Sequence, residues 1–86
     1  MFDKNEARQN IADNVKRLME LYGLSQSELG RKAGVKQVFI SRLIDQVMIP
    51  NAIDLANVAD ALGTTSDALM TSDSIRKEKK KVSKSA

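Results

Sequence analysis

The stretch GLSQSELGRKAGVKQVFISRLI, from Gly23 to Ile44, decides the fold. Ser25 and Glu28 within it have the spacing of a capping box, in which the hydroxyl and the carboxylate each accept from the other residue's backbone N–H at a helix start. Gly34 separates this short helix from a second apolar segment. The stretch therefore predicts two helices joined by a tight turn, the form of a helix-turn-helix.

The second helix of the pair, predicted from about Lys36 to Ile44, has apolar residues on more than one side. They are Val38, Phe39, Ile40, Leu43 and Ile44. A helix with a single buried stripe would carry such residues on one face only. This helix is therefore either buried almost all round or presents apolar groups to a partner, and we expect Ile40, Leu43 and Ile44 to face the core.

Helical periodicity continues on the N-terminal side. Asp3 and Glu6 have the spacing of a helix start, and Gly23 is suited to the left-handed turn that ends a helix. The apolar residues that recur on one predicted face are Ile11, Val15, Leu18 and Tyr22. The pattern predicts a first helix packed through this face.

A fourth helix is predicted after Pro50, which interrupts the chain. Asn51 is a favourable N-cap, and Gly63 ends the helix. The residues expected to face inward are Leu55, Val58, Ala59 and Leu62. The spacing of these residues is helical.

Thr65 or Ser66 caps a last short turn that buries Leu69. No segment shows the alternation of a strand. The predicted fold class is therefore all-α, with five short helices and the helix-turn-helix at helices 2 and 3.

Two regions of different composition divide the chain. Residues 1–71 are predicted to form one domain, and 72–86 a basic, disordered tail or linker. From Ile75 to Ala86 there are six Lys or Arg and one Glu, whereas residues 1–74 contain eight Lys or Arg and ten Asp or Glu. The net charge of +3 therefore comes from the tail.

Cysteine and histidine are both absent from the 86 residues. Their absence removes thiolate ligands, the commonest metal ligand and the commonest general base at neutral pH. An enzyme would have to work with Ser, Lys and carboxylates alone, and we interpret the chain as a non-enzyme with no catalytic, metal or cofactor site. We see no signal peptide and no apolar run that could span a membrane, so we expect a cytoplasmic location.

The stretch Gly23 to Ile44, followed by Pro50 and by LANVADALG, resembles the phage repressor family typified by the lambda and 434 repressors and Cro. The resemblance covers about Ile11 to Met70. Its landmarks are Gly-Leu-Ser-Gln at the start of helix two, Leu29, Ala33, Gly34-Val35, Gln37, Ile40-Ser41, Pro50 and Ala61-Leu62-Gly63. The resemblance implies a domain that binds double-stranded DNA with its third helix in the major groove.

Base contacts are implied for Gln37, Val38, Ser41 and Arg42 by their positions in helix three. An amide such as that of Gln37 pairs with adenine N6 and N7, and an apolar group such as Val38 packs on the thymine methyl. Arg42 is suited either to guanine O6 and N7 or to a phosphate. Phe39 is expected to be partly buried, and its contact with DNA stays open.

Phosphate contacts are implied for Gln26, Lys36, Asn51 and Lys16. The backbone N–H of Gln26, at a helix start, is suited to an anion. Gln26 is otherwise an ordinary first-turn residue, and Asn51 is otherwise a helix cap, which does not prevent it from binding phosphate. The family glutamine that Gln26 matches also hydrogen-bonds to the reading glutamine.

Two positions depart from the family. Related repressors often pair an Arg in helix one with a Glu in helix three, whereas this chain has Met19 and Ile44, which we expect to touch. A well-packed apolar pair can be as stable as the salt bridge that it replaces. The turn after helix three is DQVMI, Asp45 to Ile49, where relatives often carry glycine and basic residues. We therefore expect few cationic phosphate contacts there.

The resulting expectation is a sequence-specific DNA-binding regulator, a phage or prophage repressor that binds a two-fold symmetric operator as a homodimer. In full-length repressors a linker like residues 72–86 leads to a C-terminal oligomerisation domain, so we expect this sequence to be either a truncated N-terminal domain or a naturally short regulator. An antitoxin of the same fold and a helical protein-interaction module are the alternatives. Binding to DNA at several salt concentrations distinguishes them.

Overall fold

The computed structural model describes residues 3–71, which form five helices. They are α1 (Lys4–Tyr22), α2 (Gln26–Ala33), α3 (Gln37–Ile44), α4 (Ala52–Ala61) and α5 (Ser66–Met70). The predicted all-α fold with five helices is confirmed, and the predicted tail, 72–86, lies outside the described residues. None of the described helices is both long and apolar enough to cross a membrane.

Local hydrogen bonds fix the starts of four helices. The Asp3 carboxylate accepts from two backbone N–H groups in the first turn of α1. In α2 the Ser25 hydroxyl accepts from Glu28 N at 3.1 Å, and the Glu28 carboxylate accepts from Ser25 N at 3.0 Å, so the predicted capping box is confirmed. The side chains of Asn51 and Thr65 cap α4 and α5.

The core contains aliphatic side chains from all five helices. Its buried members include Ile11, Val15, Leu18, Leu29, Ile40, Leu43, Leu55, Val58, Ala59, Leu62 and Leu69. Full burial of each large aliphatic side chain stabilises the fold by about 1.5–3 kcal/mol relative to exposure. The predicted inward face of α4 is therefore confirmed, as is the predicted burial of Leu69.

One predicted core position is wrong. Tyr22 is 55% exposed, whereas Met19, on the same helix, is buried. The chain reverses at Gly23, where φ is 66°, and Leu24 N donates back to Met19 O at 2.8 Å. After this turn Leu24 packs against the core, whereas Tyr22, the last residue of α1, stays outside it.

A buried amide attaches α5 to α1. Asn14 is 1% exposed, and its Nδ2 donates to Leu69 O at 2.7 Å and to Thr71 O at 2.8 Å. Asn10 Nδ2 donates to Met70 O at 2.8 Å. A five-residue helix is too short to be stable alone. These side-chain donors satisfy its terminal carbonyls and hold it in place.

Candidate nucleic-acid interface

The turn between α2 and α3 is fixed by a close backbone approach. Gly34 has φ of 73°, and Val35 N donates to Gly30 O at 2.9 Å. A Cβ on Gly30 would lie 2.9 Å from Val35 O, closer than side-chain carbons normally come to another atom. The absence of a side chain at Gly30 therefore allows the turn to pack on α2, and this contact sets the direction in which α3 leaves.

The third helix presents two surfaces. Ile40 and Leu43 are 0% and 1% exposed and anchor α3 in the core. Gln37, Val38 and Arg42 are exposed, and Val38 is 52% accessible despite being apolar. The burial of these residues therefore confirms the prediction that α3 packs one side in the core and exposes the other.

The candidate base contacts lie close together along α3. Gln37 and Ser41 are four residues apart, as are Val38 and Arg42, so the two pairs occupy adjacent positions on one side of the helix. Ser41 is half-buried. Phe39 is also half-buried and packs against the core, which confirms its predicted burial.

The entrance to α3 combines exposed polar groups. Lys36 is the N-cap residue, and its side chain makes no capping hydrogen bond, so the ammonium group is not used to start the helix. Lys36 and Gln37 are both exposed. The side chains of Gln26 and Gln37 share no hydrogen bond in the part of the chain that the structure describes, although the resemblance implies one.

A family model of helix-turn-helix proteins (HTH_3) matches residues 15–69, a span that includes α2, the turn and α3. The chain belongs to the HTH_3 helix-turn-helix family. This membership supports a DNA-binding transcriptional regulator as the class of protein. It also confirms the resemblance to the Cro and lambda-type repressors.

Solved structures with the same fold include two from bacteria. A hypothetical transcription factor, NHTF, from Neisseria superposes with a TM-score of 0.79 at 24% identity, over 88% of this chain and 85% of that one. An HTH_3 family transcriptional regulator from Vibrio cholerae gives a TM-score of 0.71 at 21% identity, over 78% of this chain and 38% of that one. A search of curated proteins found no match. At these identities the structures support the fold alone.

In this helix-turn-helix protein, Asn51 is engaged as a helix cap. Its Oδ1 accepts from Asp54 N at 2.8 Å, and its Nδ2 donates to Asp54 Oδ2 at 3.2 Å. The capping role is therefore confirmed. The second Nδ2 hydrogen of Asn51 can still donate to another acceptor, such as a phosphate oxygen. The phosphate contact itself stays a prediction.

A groove of about 320 Å³ brings Lys16 and Gln26, two candidate phosphate contacts, to one place. We call it the α1–α3 groove; its lining residues are Lys16, Met19, Glu20, Gly23, Leu24, Gln26 and Ile44. Met19 is buried and Ile44 is half-buried against the core, so both adopt the inward positions expected of them. Direct contact between these two side chains stays a prediction.

The surface after α3 is apolar where relatives are often basic. Val47 is 65% exposed, Ile49 41% and Ile53 73%, and Asp45 is also exposed. Residues 3–71 contain eight Lys or Arg and nine Asp or Glu. Attraction to phosphate therefore depends on where the cations lie, since the net charge of the described domain does not supply it.

Two features of this surface do not follow from the sequence pattern. The exposure of Ile53 is unexpected, because the residue lies in the first turn of an apolar helix. Gln46 has φ of 64°, a left-handed conformation that is uncommon for residues other than glycine. The signal that could have indicated the left-handed conformation of Gln46 is the glycine that relatives often carry in this turn.

Proposed function

We propose that this chain is a sequence-specific transcriptional regulator that binds a two-fold symmetric operator as a homodimer, in the manner of a phage or prophage repressor. The observation that carries the proposal is the outward surface of α3. Gln37, Val38 and Arg42 are exposed there, while Ile40 and Leu43 hold the helix in the core. A helix anchored in the core on one side, with amide, guanidinium and small apolar groups exposed on the other, is suited to enter the major groove.

Base recognition is assigned to one side of α3. Gln37 offers both a donor and an acceptor, which suits the N6 and N7 atoms of adenine. Val38 packs on a thymine methyl, and this role explains why an apolar side chain at this position is left exposed. Arg42 and Ser41, one turn further along, contact the next bases or the adjoining phosphate.

Phosphate contacts are assigned to residues around α3. Lys36 and Lys16 are exposed cations, and Gln26 lies at the start of α2, where backbone N–H groups attract anions. Asn51 has one amide hydrogen free to donate. These contacts set the register of the domain on DNA and carry no sequence information themselves.

A homodimer is part of the proposal, because each chain carries a single reading helix and a symmetric operator offers two equivalent half-sites. Two helix-turn-helix units that read half-sites about one helical turn, roughly 34–36 Å, apart bind a symmetric operator on one side of the duplex. Such a regulator acts in the cytoplasm of its host, where the DNA lies.

The test is in vitro selection with the full chain, followed by titration of the selected duplex and an unrelated duplex at several salt concentrations. We expect a symmetric consensus and a selected site bound at least about 1,000-fold more tightly than unrelated DNA. A steep salt dependence without base preference would exclude sequence-specific regulation, because phosphate attraction alone gives that result. No binding at any salt concentration would exclude a DNA-binding function.

A further inference from the structure

Val38 is the apolar member of the outward surface of α3. It lies in the first turn of the helix and is 52% exposed, and the residues one turn further along, Ser41 and Arg42, are polar. A valine in a helix is branched at Cβ and keeps one strongly preferred rotamer. Its two methyl groups therefore hold a fixed orientation on the exposed side of α3.

The surroundings of Val38 differ from those of an apolar residue in a protein interface. The other large apolar residues exposed within residues 3–71 lie at the end of α1 or beyond the end of α3. They are Leu21, Tyr22, Val47, Ile49 and Ile53. The buried core of a protein interface is an apolar patch, whereas Val38 stands among Gln37, Ser41 and Arg42. A single apolar group among hydrogen-bonding groups matches the major groove, where methyl groups lie beside donors and acceptors.

The methyl groups of the major groove belong to pyrimidines. Thymine carries one at C5 and presents O4 as an acceptor, whereas cytosine has hydrogen at C5 and presents N4 as a donor. 5-Methylcytosine combines the N4 donor of cytosine with a methyl group in the place of the thymine methyl. A valine has neither donor nor acceptor, so it contacts the methyl group without distinguishing O4 from N4. Val38 therefore groups 5-methylcytosine with thymine and separates both from unmodified cytosine.

Ser41, three residues after Val38 on the same side of α3, permits this exchange of bases. A serine hydroxyl rotates and acts either as a donor or as an acceptor. It can therefore donate to thymine O4 or accept from the N4 group of 5-methylcytosine. The polar neighbour of Val38 rejects neither base, and the methyl group remains the feature that is read.

We propose that methylation of cytosine at C5 regulates DNA binding by this chain. Val38 accepts 5-methylcytosine in place of thymine, so a half-site with cytosine at that position is bound more tightly once the cytosine is methylated. The inference rests on the proposed function, because it requires α3 to lie in the major groove. It adds the methylation state of the DNA to the base sequence that the regulator reads.

Base analogues test this inference on the full chain and its selected duplex. Deoxyuridine is thymidine without the C5-methyl group, so replacing each thymidine of the half-sites in turn locates any thymine methyl that the domain contacts. At that position a C·G pair is then compared with a 5-methylcytosine·G pair, and the two differ by the same methyl group.

Two protein variants accompany the analogues. Val38→Ala removes both side-chain methyl groups of the valine at an exposed position and introduces a favourable helix residue, so it should not disturb folding. Val47→Ala is the matched control, since Val47 is a 65% exposed valine outside α3.

We expect the wild type to bind the thymidine duplex about fourfold more tightly per half-site than the deoxyuridine duplex, the ratio that burial of one CH₂-sized group supplies. The 5-methylcytosine duplex should exceed the cytosine duplex by a similar ratio. Val38→Ala should lower both ratios towards one, whereas Val47→Ala should leave both unchanged.

A 5-methylcytosine duplex that is bound no more tightly than the cytosine duplex would overturn the inference, even where the thymine methyl matters. Methyl ratios that persist in Val38→Ala would also overturn it, because a group other than Val38 would then contact the methyl. Both results leave the proposed function intact, provided that the wild type selects a sequence. If the wild type selects no sequence, the proposed function fails first and this inference fails with it.

Discussion

The two ends of α3 are connected by turns with the same hydrogen-bond pattern but different side chains. At the first, Gly34 takes the left-handed conformation, and Val35 N donates to Gly30 O at 2.9 Å. At the second, Gln46 takes that conformation with φ of 64°, and Val47 N donates to Arg42 O at 3.2 Å. The backbone geometry is shared, but only the first turn has a glycine in the strained position.

This difference shows where the sequence restricts the placement of the reading helix. Gly30 and Gly34 permit one close arrangement of α2 and α3, which fixes the entry of α3 towards the DNA. Gln46 carries a backbone penalty at the exit, where the following residues, Val47 and Ile49, are exposed and little packed. The turn before α3 is therefore determined by close packing at Gly30, whereas the turn after α3 contains a strained backbone conformation at Gln46.

The largest expected effect is that of a side chain on Gly30. Gly30→Val should lower the free energy of unfolding by about 2–3 kcal/mol, because its Cβ would lie 2.9 Å from the Val35 carbonyl oxygen and the turn would have to move. Urea denaturation measures this loss. Ala56→Val, at an exposed position in α4, controls for the helix propensity of valine. Equal losses in the two variants would show that Gly30 does not fix the turn.

An intermediate loss is expected when the side chain of the second turn is placed in the first. Gly34→Gln should lower the free energy of unfolding by about 1–2 kcal/mol, because the left-handed conformation brings Cβ close to the following carbonyl. No other group lies within 4 Å of a Cβ at this position, so the loss reports backbone strain alone. Thermal unfolding of Gly34→Gln at the same stability as the wild type would contradict this account.

The reciprocal change should stabilise the domain. Gln46→Gly removes the backbone penalty at φ of 64°, offset in part by the freedom that glycine adds to the unfolded chain, and should raise the free energy of unfolding by about 0.5–1 kcal/mol. The same thermal measurement checks it. A lower melting temperature for Gln46→Gly would mean that the glutamine side chain contributes more than its backbone strain costs.

The smallest expected effect is a pH dependence of the capping box that begins α2. The Ser25 backbone N–H, helped by the Ser25 hydroxyl, holds the pKa of Glu28 below its ordinary value of 4.5. Because the folded-state pKa is lowered, this stabilisation is present above pH 4.5 and is lost as the pH falls through the folded-state pKa. Exposure to solvent keeps the effect small.

Glu28→Gln is the matched variant, since its amide oxygen still accepts from Ser25 but does not titrate in this range. Melting temperatures followed from neutral pH to below 4.5 should fall more for the wild type than for Glu28→Gln. Parallel curves would show that the box does not titrate with folding.

Much of the fold is predictable from local chemistry. Asp3, the Ser25–Glu28 box and Asn51 act on backbone groups within a few residues of themselves, so their spacing in the sequence suffices to place helix starts. Contacts between distant segments were not predictable in this way. Asn14 lies on the inward side of α1, between Ile11 and Leu18, but nothing local indicates that its amide holds the end of α5.

The DNA contacts of the candidate site were less predictable for the same reason, because they too depend on groups that are not local in the sequence. The periodicity of α3 separates Ile40 and Leu43 from the outward residues, and both side chains are buried, as this periodicity predicts. Which atoms of Gln37 or Arg42 contact a base depends on the angle at which the domain docks on DNA. This angle is set by the protein and the DNA together, so the protein sequence alone does not give it. The helical step also placed Tyr22 in the core, because it takes no account of the reversal at Gly23.

The central claim is that the exposed side of α3 reads bases, and the base preference of Gln37→Ala tests it most directly. Repeating the selection with this variant should relax the preference at one symmetric pair of positions and cost about 1–3 kcal/mol on the wild-type site. Gln9→Ala, an exposed glutamine on α1, should leave both unchanged. An unaltered preference in Gln37→Ala, or an equal loss of affinity on selected and unrelated duplexes, would contradict the claim.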